Sequence, residues 1–541
     1  MRLWKISIIP TCVAFFGPSL FGQTSIHQAF PERIPIFNET GDKERPVSIG
    51  VHRTAAFPER RNILELDPIS AQAVAAADHA AADEFAQVNP GPKRVGIVRS
   101  LNAGPLSLKS QFVKKEALPD GQNIWTFGIR SRGCFGMRLH FSDTDFGNGT
   151  ALVYAREADR VVARGPFTGK GPQRTGQFWT ETLPGDTAYV EVRSGDEAQL
   201  AIDQIVHFDK DVTGSTSGSL QRVSLLSAAP FACHIDAMCQ SVPESARDAV
   251  GQINFVRNGK SFVCSGTLLT DLDDETVMPY FLTANHCIST QAEVDSMEVV
   301  YLWQSSSCGG SLPAMSSLPR SRGGTLLETS EDNDRTLIRL NGGVLGGVTL
   351  AGWTTAGLPD SVIGIHHPAG SFKRVTFMHE HTLDAIVLTC LGPRPPWEYH
   401  YCEVDDGMIE GGSSGSGLFN SRGQLMGQLY GQCCLGELGL ECEDADCDNR
   451  EKWRALYGEF EETFPAIRKW LEIGGTIHVS QNFSGEELGT PLQPFNTVSE
   501  ANGFAWEGSR IRIQSGSYPE TLTLSKKLTL LANGGPATIG R

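Results

Sequence analysis

Gly411-Gly412-Ser413-Ser414-Gly415-Ser416-Gly417 sets a serine hydroxyl among residues with almost no side chain. A hydroxyl nucleophile has to be held on a tight turn, with its oxygen exposed and nearby backbone N–H groups aimed at the oxyanion that develops on its target. Gly412 and Gly415 permit that backbone. The same composition also describes a flexible linker, so the run acquires meaning only from partners elsewhere in the chain.

Two such partners lie upstream. In Phe281-Leu282-Thr283-Ala284-Asn285-His286-Cys287, apolar residues lead into a histidine placed at the end of a buried strand, where it can be held rigid and pinned by a cysteine. A general base needs that rigidity because proton transfer requires hydrogen-bond geometry. In Asn333-Asp334-Arg335-Thr336-Leu337-Ile338-Arg339-Leu340, a carboxylate precedes an alternating strand with Leu337 and Leu340 as core positions. Asp334 would hold the imidazole tautomer and stabilise the imidazolium; Asp332 and Glu331 compete for that role. The order His286, Asp334, Ser414 is the chymotrypsin order, not that of subtilisin or the α/β-hydrolases. No G-x-S-x-G elbow flanks Ser414, because position 416 is Ser.

The rest of the chain supports a mainly β, extracellular protein. Its 541 residues exceed a single core, and 58 glycines and 29 prolines punctuate short strand-like runs. A net charge of −16 disfavours nucleic acid as partner, since little would neutralise phosphates. Arg2 and Lys5 precede the apolar stretch from Ile6 to Phe16, and the small residues Gly17, Ser19 and Gly22 follow; residues 1–22 read as a cleaved secretory signal. No later stretch has the length of a membrane span. Of thirteen cysteines, eleven crowd between Cys233 and Cys447, which in an oxidising compartment implies a disulfide framework.

Texture divides the remainder. Residues 23–103 form a polar leader with an Ala-rich helix, to which no chemistry is assigned. Period-two patterns such as Trp125, Phe127, Ile129 and Ala188, Val190, Val192 predict a β-sandwich prodomain over 104–213. A linker and processing region over 214–232 contains GSTSGS. The cysteine-rich block, 233–474, ends in a helix within TFPAIRKWLE, where Phe464, Ile467 and Leu471 share a face. In the tail, 475–541, PFNTVSEA predicts a short helix or turn, and IRIQ, TLTL and LTLL predict strands of a partial β-helix that must lean on a neighbour.

The block from Cys233 to Gly474 resembles the bacterial lysyl endopeptidase branch of the trypsin-like serine proteases. The likeness rests on CHIDAMC, VCSGTLLTD, YFLTANHC, DRTLIRL, IGIHHPAG, GGSSGSG and GQLYGQ, in the family's order. It implies a chymotrypsin-like double β-barrel and peptide-bond hydrolysis, with His286, Asp334 and Ser414 as catalytic residues and the N–H groups of Gly412 and Ser414 as oxyanion hole. It also implies disulfides Cys264–Cys287, Cys239–Cys308, and Cys233 with Cys433 or Cys434. Cys390–Cys402 and Cys442–Cys447 are pairings by proximity alone. The resemblance further implies that the sandwich is a propeptide. The tail resembles the opening coils of pectate-lyase-like β-helices, which implies an accessory module for contact with a cell surface or polymer.

The likeness fails at the specificity site. Tyr430 and Gly431 match the wall of the primary pocket, but Ala455 stands where lysyl endopeptidases carry the aspartate that binds lysine. The trypsin alternative, six residues before the nucleophile, is Met408. A basic head without a paired carboxylate is strongly unfavourable, so an apolar preference is expected. The acids Glu437, Glu441, Glu443, Asp444, Asp446 and Asp448 could supply the charge instead. Ser413 replaces the aspartate that in vertebrate trypsins pairs with the newly cut N-terminus, so that activation route is closed.

Two other readings compete: a metal hydrolase using His366, His367, His379 and His381, and an inactive protease fold serving as a binding or cell-surface interaction protein. The first lacks helical H-E-x-x-H geometry, and adjacent strand histidines face opposite ways. The second is opposed by a complete triad. The triad mechanism itself needs no metal or cofactor, and its partners are protein or peptide substrates.

Overall fold

The architecture follows from short, buried strands whose apolar side chains fill two barrels, a sandwich and a small parallel coil. The computed structural model describes residues 26–34, 57–211, 233–381, 398–434, 447 and 453–540, apart from 102, 103, 196, 274, 344 and 507. The signal segment and the 214–232 linker, with its processing region, lie outside the described residues.

In the cysteine-rich block, strands Val250–Arg257, Lys260–Leu269, Tyr280–Thr283, Glu298–Tyr301 and Arg335–Leu340 form the first barrel around Phe255, Phe262, Phe281 and Ile338. The second closes on itself: Gln424–Cys434 pairs with Gly417–Phe419, the order continues through Val362–His366, Arg374–Glu380 and Tyr399–Asp406, and Trp453–Glu459 returns to Gln424–Cys434. Closure pairs the strands of the ring on both sides, and Gly352–Thr354 continues outward from Gln424–Cys434 as a flank. The chymotrypsin-like double barrel inferred from the motifs is the fold observed. Helix Phe460–Ile473 buries Phe460, Phe464, Ile467 and Leu471 against Trp353 and its neighbours, fastening the barrels together.

The preceding region packs two mainly antiparallel sheets over Phe127, Ile129, Leu139, Phe141, Val153 and Val190. Its strand Lys93–Ser100 leaves that unit and pairs with Lys260–Leu269, so one sheet runs from the sandwich into the first barrel. Arg138 of the sandwich donates from Nη2 to Ser296 O at 2.6 Å, and Arg94 sits buried between Asp78 and Asp209.

The leader is more structured than its composition implies. Helix Ala71–Glu84 starts on Ser70, whose side chain accepts from Ala73 N, and Glu84 reaches Lys260 of the barrel at 3.0 Å. Upstream, Gln28–Ala29 adds to Gly352–Thr354 as an extra strand.

In the tail, Thr476–Val479, Arg510–Tyr518 and Thr529–Ile539 stack as three parallel strands over Ile477, Ile511 and Ile513. Residues 521–524, expected as a strand, are not one; they run as irregular chain after Tyr518, with Leu524 exposed. The coil leans on the first barrel: Gly475 N donates to Thr276 Oγ1 at 2.8 Å, and Glu275 pairs with Arg510 and Arg512.

Candidate active site

Strand Tyr280–Thr283 is buried throughout and flanked by two neighbours, so the turn that follows it is positioned from both sides. His286 lies on that turn. Arg257 donates from Nη1 to His286 O at 2.7 Å and from Nη2 to Cys287 O at 3.0 Å, while its own Nε is paired with Glu293. The disulfide Cys264–Cys287 ties the same turn to strand Lys260–Leu269.

Asp334 faces the imidazole. His286 N donates to its Oδ1 at 2.9 Å and His286 Nδ1 to its Oδ2 at 2.7 Å. The carboxylate is 1% exposed, and its residue has a φ of 57°, a left-handed conformation that most side chains avoid. Neighbours hold it there: Asn285 N donates to Asp334 O at 3.2 Å, Gln428 Nε2 to Asn333 O at 2.8 Å, and Asn333 Nδ2 to Thr463 Oγ1 at 2.8 Å. Asp332 bonds to Ser330 Oγ instead, so Asp334 is the carboxylate that meets the ring. With Nδ1–H committed to Asp334, Nε2 is left as the acceptor nitrogen; it is buried and has no hydrogen-bond partner among the described residues.

Ser414 sits on a turn built for closeness. Gly412 has φ 98° and Gly415 φ 78°, and a Cβ on Gly415 would stand 2.3 Å from Thr283 Oγ1. Ser414 O accepts from Ser265 N at 2.8 Å, and Gly412 O accepts from Ser265 Oγ at 3.0 Å. Beneath the turn runs a chain of neutral hydrogen bonds. Glu410 N–H donates to Ser413 Oγ at 3.2 Å, and Ser413 Oγ meets His366 Nδ1 at 2.7 Å. His366 Nε2 meets Thr376 Oγ1 at 3.0 Å, and Thr376 Oγ1 donates to Met408 O at 3.0 Å. Complete burial drives the His366 pKa well down, which keeps this ring neutral. His234 flanks the same loop, 3.3 Å from Glu410 Oε2, its pKa lowered by burial against the pull of that carboxylate.

Residues 229–445 match the family model for the C-terminal domain of lysyl endopeptidases. This block is lysyl endopeptidase-like. The lysyl endopeptidase of Pseudomonas aeruginosa is 26% identical over 343 residues, covering 58% of this chain and 70% of that protein. Among solved structures, a scabies mite inactivated protease paralogue is 13% identical with a TM-score of 0.29, covering 41% of this chain and 96% of that one. Deg5 is 16% identical with a TM-score of 0.27, covering 43% of this chain and 92% of that one.

In the lysyl endopeptidase-like block the expected pocket positions carry no charge. Tyr430 stands edge-on to His286 with ring centroids 6.0 Å apart, and Gly431 follows it on the same strand. Ala455 and Met408 are both buried, and Ala455 lies between Gln432 and Cys402 in the sheet. Neither carries charge. The acidic run from Glu437 to Asp448 lies outside the described residues.

The disulfides Cys264–Cys287 and Cys239–Cys308 are present as the resemblance implied. Cys233 is not joined to Cys433 or Cys434: it pairs with Cys447, beside Met408. Cys433 is itself disulfide-bonded and packs with Tyr399, Tyr401 and Leu456. The Cys233–Cys447 bond also removes the Cys442–Cys447 pairing. Cys402 is free and packs among Val362, Met378 and Tyr457, which removes the Cys390–Cys402 pairing.

His366, His367, His379 and His381 do not converge. His367 bonds Ser371 O and stacks on Trp303, while His379 and His381 face Asp405 and Glu403. No cluster able to hold a metal occurs among the described residues.

One occupant of the site has no motif behind it. Residues 87–93 of the leader cross the cleft. Ser414, with 0% exposure, donates from Oγ to Pro90 O at 3.1 Å, and Gly412 N donates to Gly91 O at 3.2 Å.

Proposed function

We propose that the chain is a secreted serine endopeptidase, made as a precursor, that cuts peptide bonds through an acyl-enzyme on Ser414. The observation that carries this reading is the two-point grip of Asp334 on His286. It fixes the tautomer whose free Nε2 can accept a proton, on a turn adjoining a serine held beside a backbone donor.

In the proposed cycle His286 removes the Ser414 proton as Oγ attacks the substrate carbonyl, and the N–H groups of Gly412 and Ser414 receive the oxyanion. His286 then protonates the leaving nitrogen. Water repeats the sequence on the ester, with the same histidine as base. Asp334 holds the ring and stabilises the imidazolium. Tyr430 and Gly431 would form one wall of the primary pocket and offer strand-like pairing to the substrate. The uncharged Ala455 and Met408 favour an apolar side chain in that pocket.

Fluorophosphonate labelling of the secreted, processed protein tests the reading. Wild type is expected to label, Ser414→Ala not at all, and Asp334→Asn far more slowly. Absence of labelling in processed wild type would move the assignment to a protease-fold binding protein.

A further inference from the structure

The segment in the cleft lies in the register of a substrate. Starting from the nucleophile, Gly412 N–H is the donor proposed to receive the scissile carbonyl, and the oxygen it meets belongs to Gly91. Gly91 therefore occupies the position that contributes the bond to be cut, and Pro92 supplies the nitrogen on its far side.

Contacts on both flanks agree with that register. Before Gly91, Asn89 O accepts from Gln432 N at 2.5 Å, beside Gly431, whose missing side chain makes room: a Cβ there would stand 2.6 Å from Asn89 O. Farther back, Tyr430 donates from its hydroxyl to Gln87 O at 3.1 Å. After Pro92, Lys93 and Arg94 pair with Val263 and Phe262 as an added antiparallel strand. The chain thus engages the two walls that a bound peptide would use, through main-chain atoms on each side.

Two residues explain why such a segment would stay intact. Gly91 has no side chain, and a Cβ there would run into Phe85 and Val88 of the leader and not into the primary pocket, so nothing draws its carbonyl deeper toward Ser414. Ser414 Oγ bonds instead to the preceding carbonyl, that of Pro90, and is diverted from His286 Nε2, which stands unpartnered. Pro92 is buried, and its ring carbon occupies the place of the amide hydrogen on the leaving nitrogen, crowding the side from which His286 would deliver its proton.

We propose that residues 87–94 are a built-in inhibitor that binds the cleft as a substrate does, with Gly91-Pro92 set at the cutting position as a bond that resists cleavage. The proposal rests on the serine endopeptidase reading and extends it to regulation. The sandwich anchors the inhibitor, because strand Lys93–Ser100 is shared between the sandwich sheet and the barrel. Cutting the linker alone would therefore leave the segment seated; activity requires the sandwich to leave or be degraded.

The test uses the full chain and two independent variants. Gly91→Val places a Cβ where the present backbone leaves only 2.9 Å to Phe85 Cβ, so it should expel the segment. Fluorophosphonate labelling of Ser414 should be slow in the wild-type precursor and at least about tenfold faster in this variant, the equivalent of about 1.4 kcal/mol of blocking. Pro92→Ala keeps the segment in place but restores an ordinary amide. It should produce a cut between residues 91 and 92, seen by mass spectrometry, that vanishes in the Pro92→Ala/Ser414→Ala double variant. A wild-type precursor that labels as fast as Gly91→Val, or a Pro92→Ala chain that labels yet shows no such cut, overturns the proposal. Chains that neither label nor cut in any form overturn the protease reading itself, and with it this one.

Discussion

His286 presents both its backbone N–H and its ring Nδ1–H to one carboxylate, that of Asp334, at 2.9 and 2.7 Å. An amide in place of the carboxylate can accept only one of these bonds and would turn a donor toward the other. Asp334→Asn should therefore favour the wrong tautomer and lower kcat by about 10⁴-fold with little change in KM. Steady-state kinetics on a peptide substrate would check it, and a loss smaller than about tenfold would remove Asp334 from the role.

Ser413 lies one residue from the proposed oxyanion donor and links Glu410 N to His366 Nδ1. Ser413→Ala leaves two buried polar atoms unpaired, a cost of about 1–3 kcal/mol each by the usual desolvation penalty. The loop that carries Gly412 should loosen, with kcat falling by about tenfold to a hundredfold, below the full loss of an oxyanion donor. Unchanged kcat with a lowered melting temperature would show that the hydrogen-bond chain serves stability alone.

The Cys264–Cys287 bridge closes a loop of 23 residues that contains the base-bearing strand. Replacing both cysteines by alanine should cost about 2–4 kcal/mol of stability. Because Arg257 also holds His286 O and Cys287 O, the folded fraction should keep measurable activity. Melting with and without reductant would read the first effect, and active-site titration the second.

Glu298 should make the contact between sandwich and barrel sensitive to acid. It is fully buried, accepts from Thr182 N and Oγ1 of the sandwich, and pairs with Arg320 at 2.6 Å. Burial alone would raise its pKa, but Arg320 and Arg138 outweigh burial and bring it from 4.5 to about 2. A depressed carboxylate contributes stability that is complete above pH 4.5 and lost as pH falls through about 2. The junction should thus weaken on acidification below 4.5. Melting curves from pH 7 downward should fall in wild type, and Glu298→Gln should be destabilised at pH 7 with a flatter dependence. Equal slopes in the two proteins would place the acid response on other carboxylates.

The residues proposed for the site were legible because the chemistry restricts them: a base on a rigid turn, a carboxylate ahead of a strand, and a serine among glycines leave recognisable side chains. Cys233 was misassigned because its partner depends on how the chain returns near Met408, a long-range path that neighbouring cysteines do not report. Asn89-Pro90-Gly91-Pro92 reads only as a turn-rich stretch, since what it gives the cleft is backbone carbonyls, which every sequence possesses. What sets it in the cleft is long-range: the pairing of strand Lys93–Ser100 with Lys260–Leu269.

Specificity offers the sharpest remaining test. Ala455 is a buried position in a strand between Gln432 and Cys402, and Met408 is equally uncharged. A lysine or arginine head entering this pocket would be stripped of water with no partner at either position, a penalty of several kcal/mol. The processed enzyme should accordingly prefer apolar residues before the cut bond. Ala455→Asp should supply the missing partner, raising kcat/KM for lysyl peptides by about a hundredfold or more, close to 3 kcal/mol, and reducing it for apolar ones. A peptide-library profile of the wild type dominated by lysine and arginine would contradict this and assign the charge to an acid between Glu437 and Asp448; removing those carboxylates one at a time would then show which of them enters the pocket.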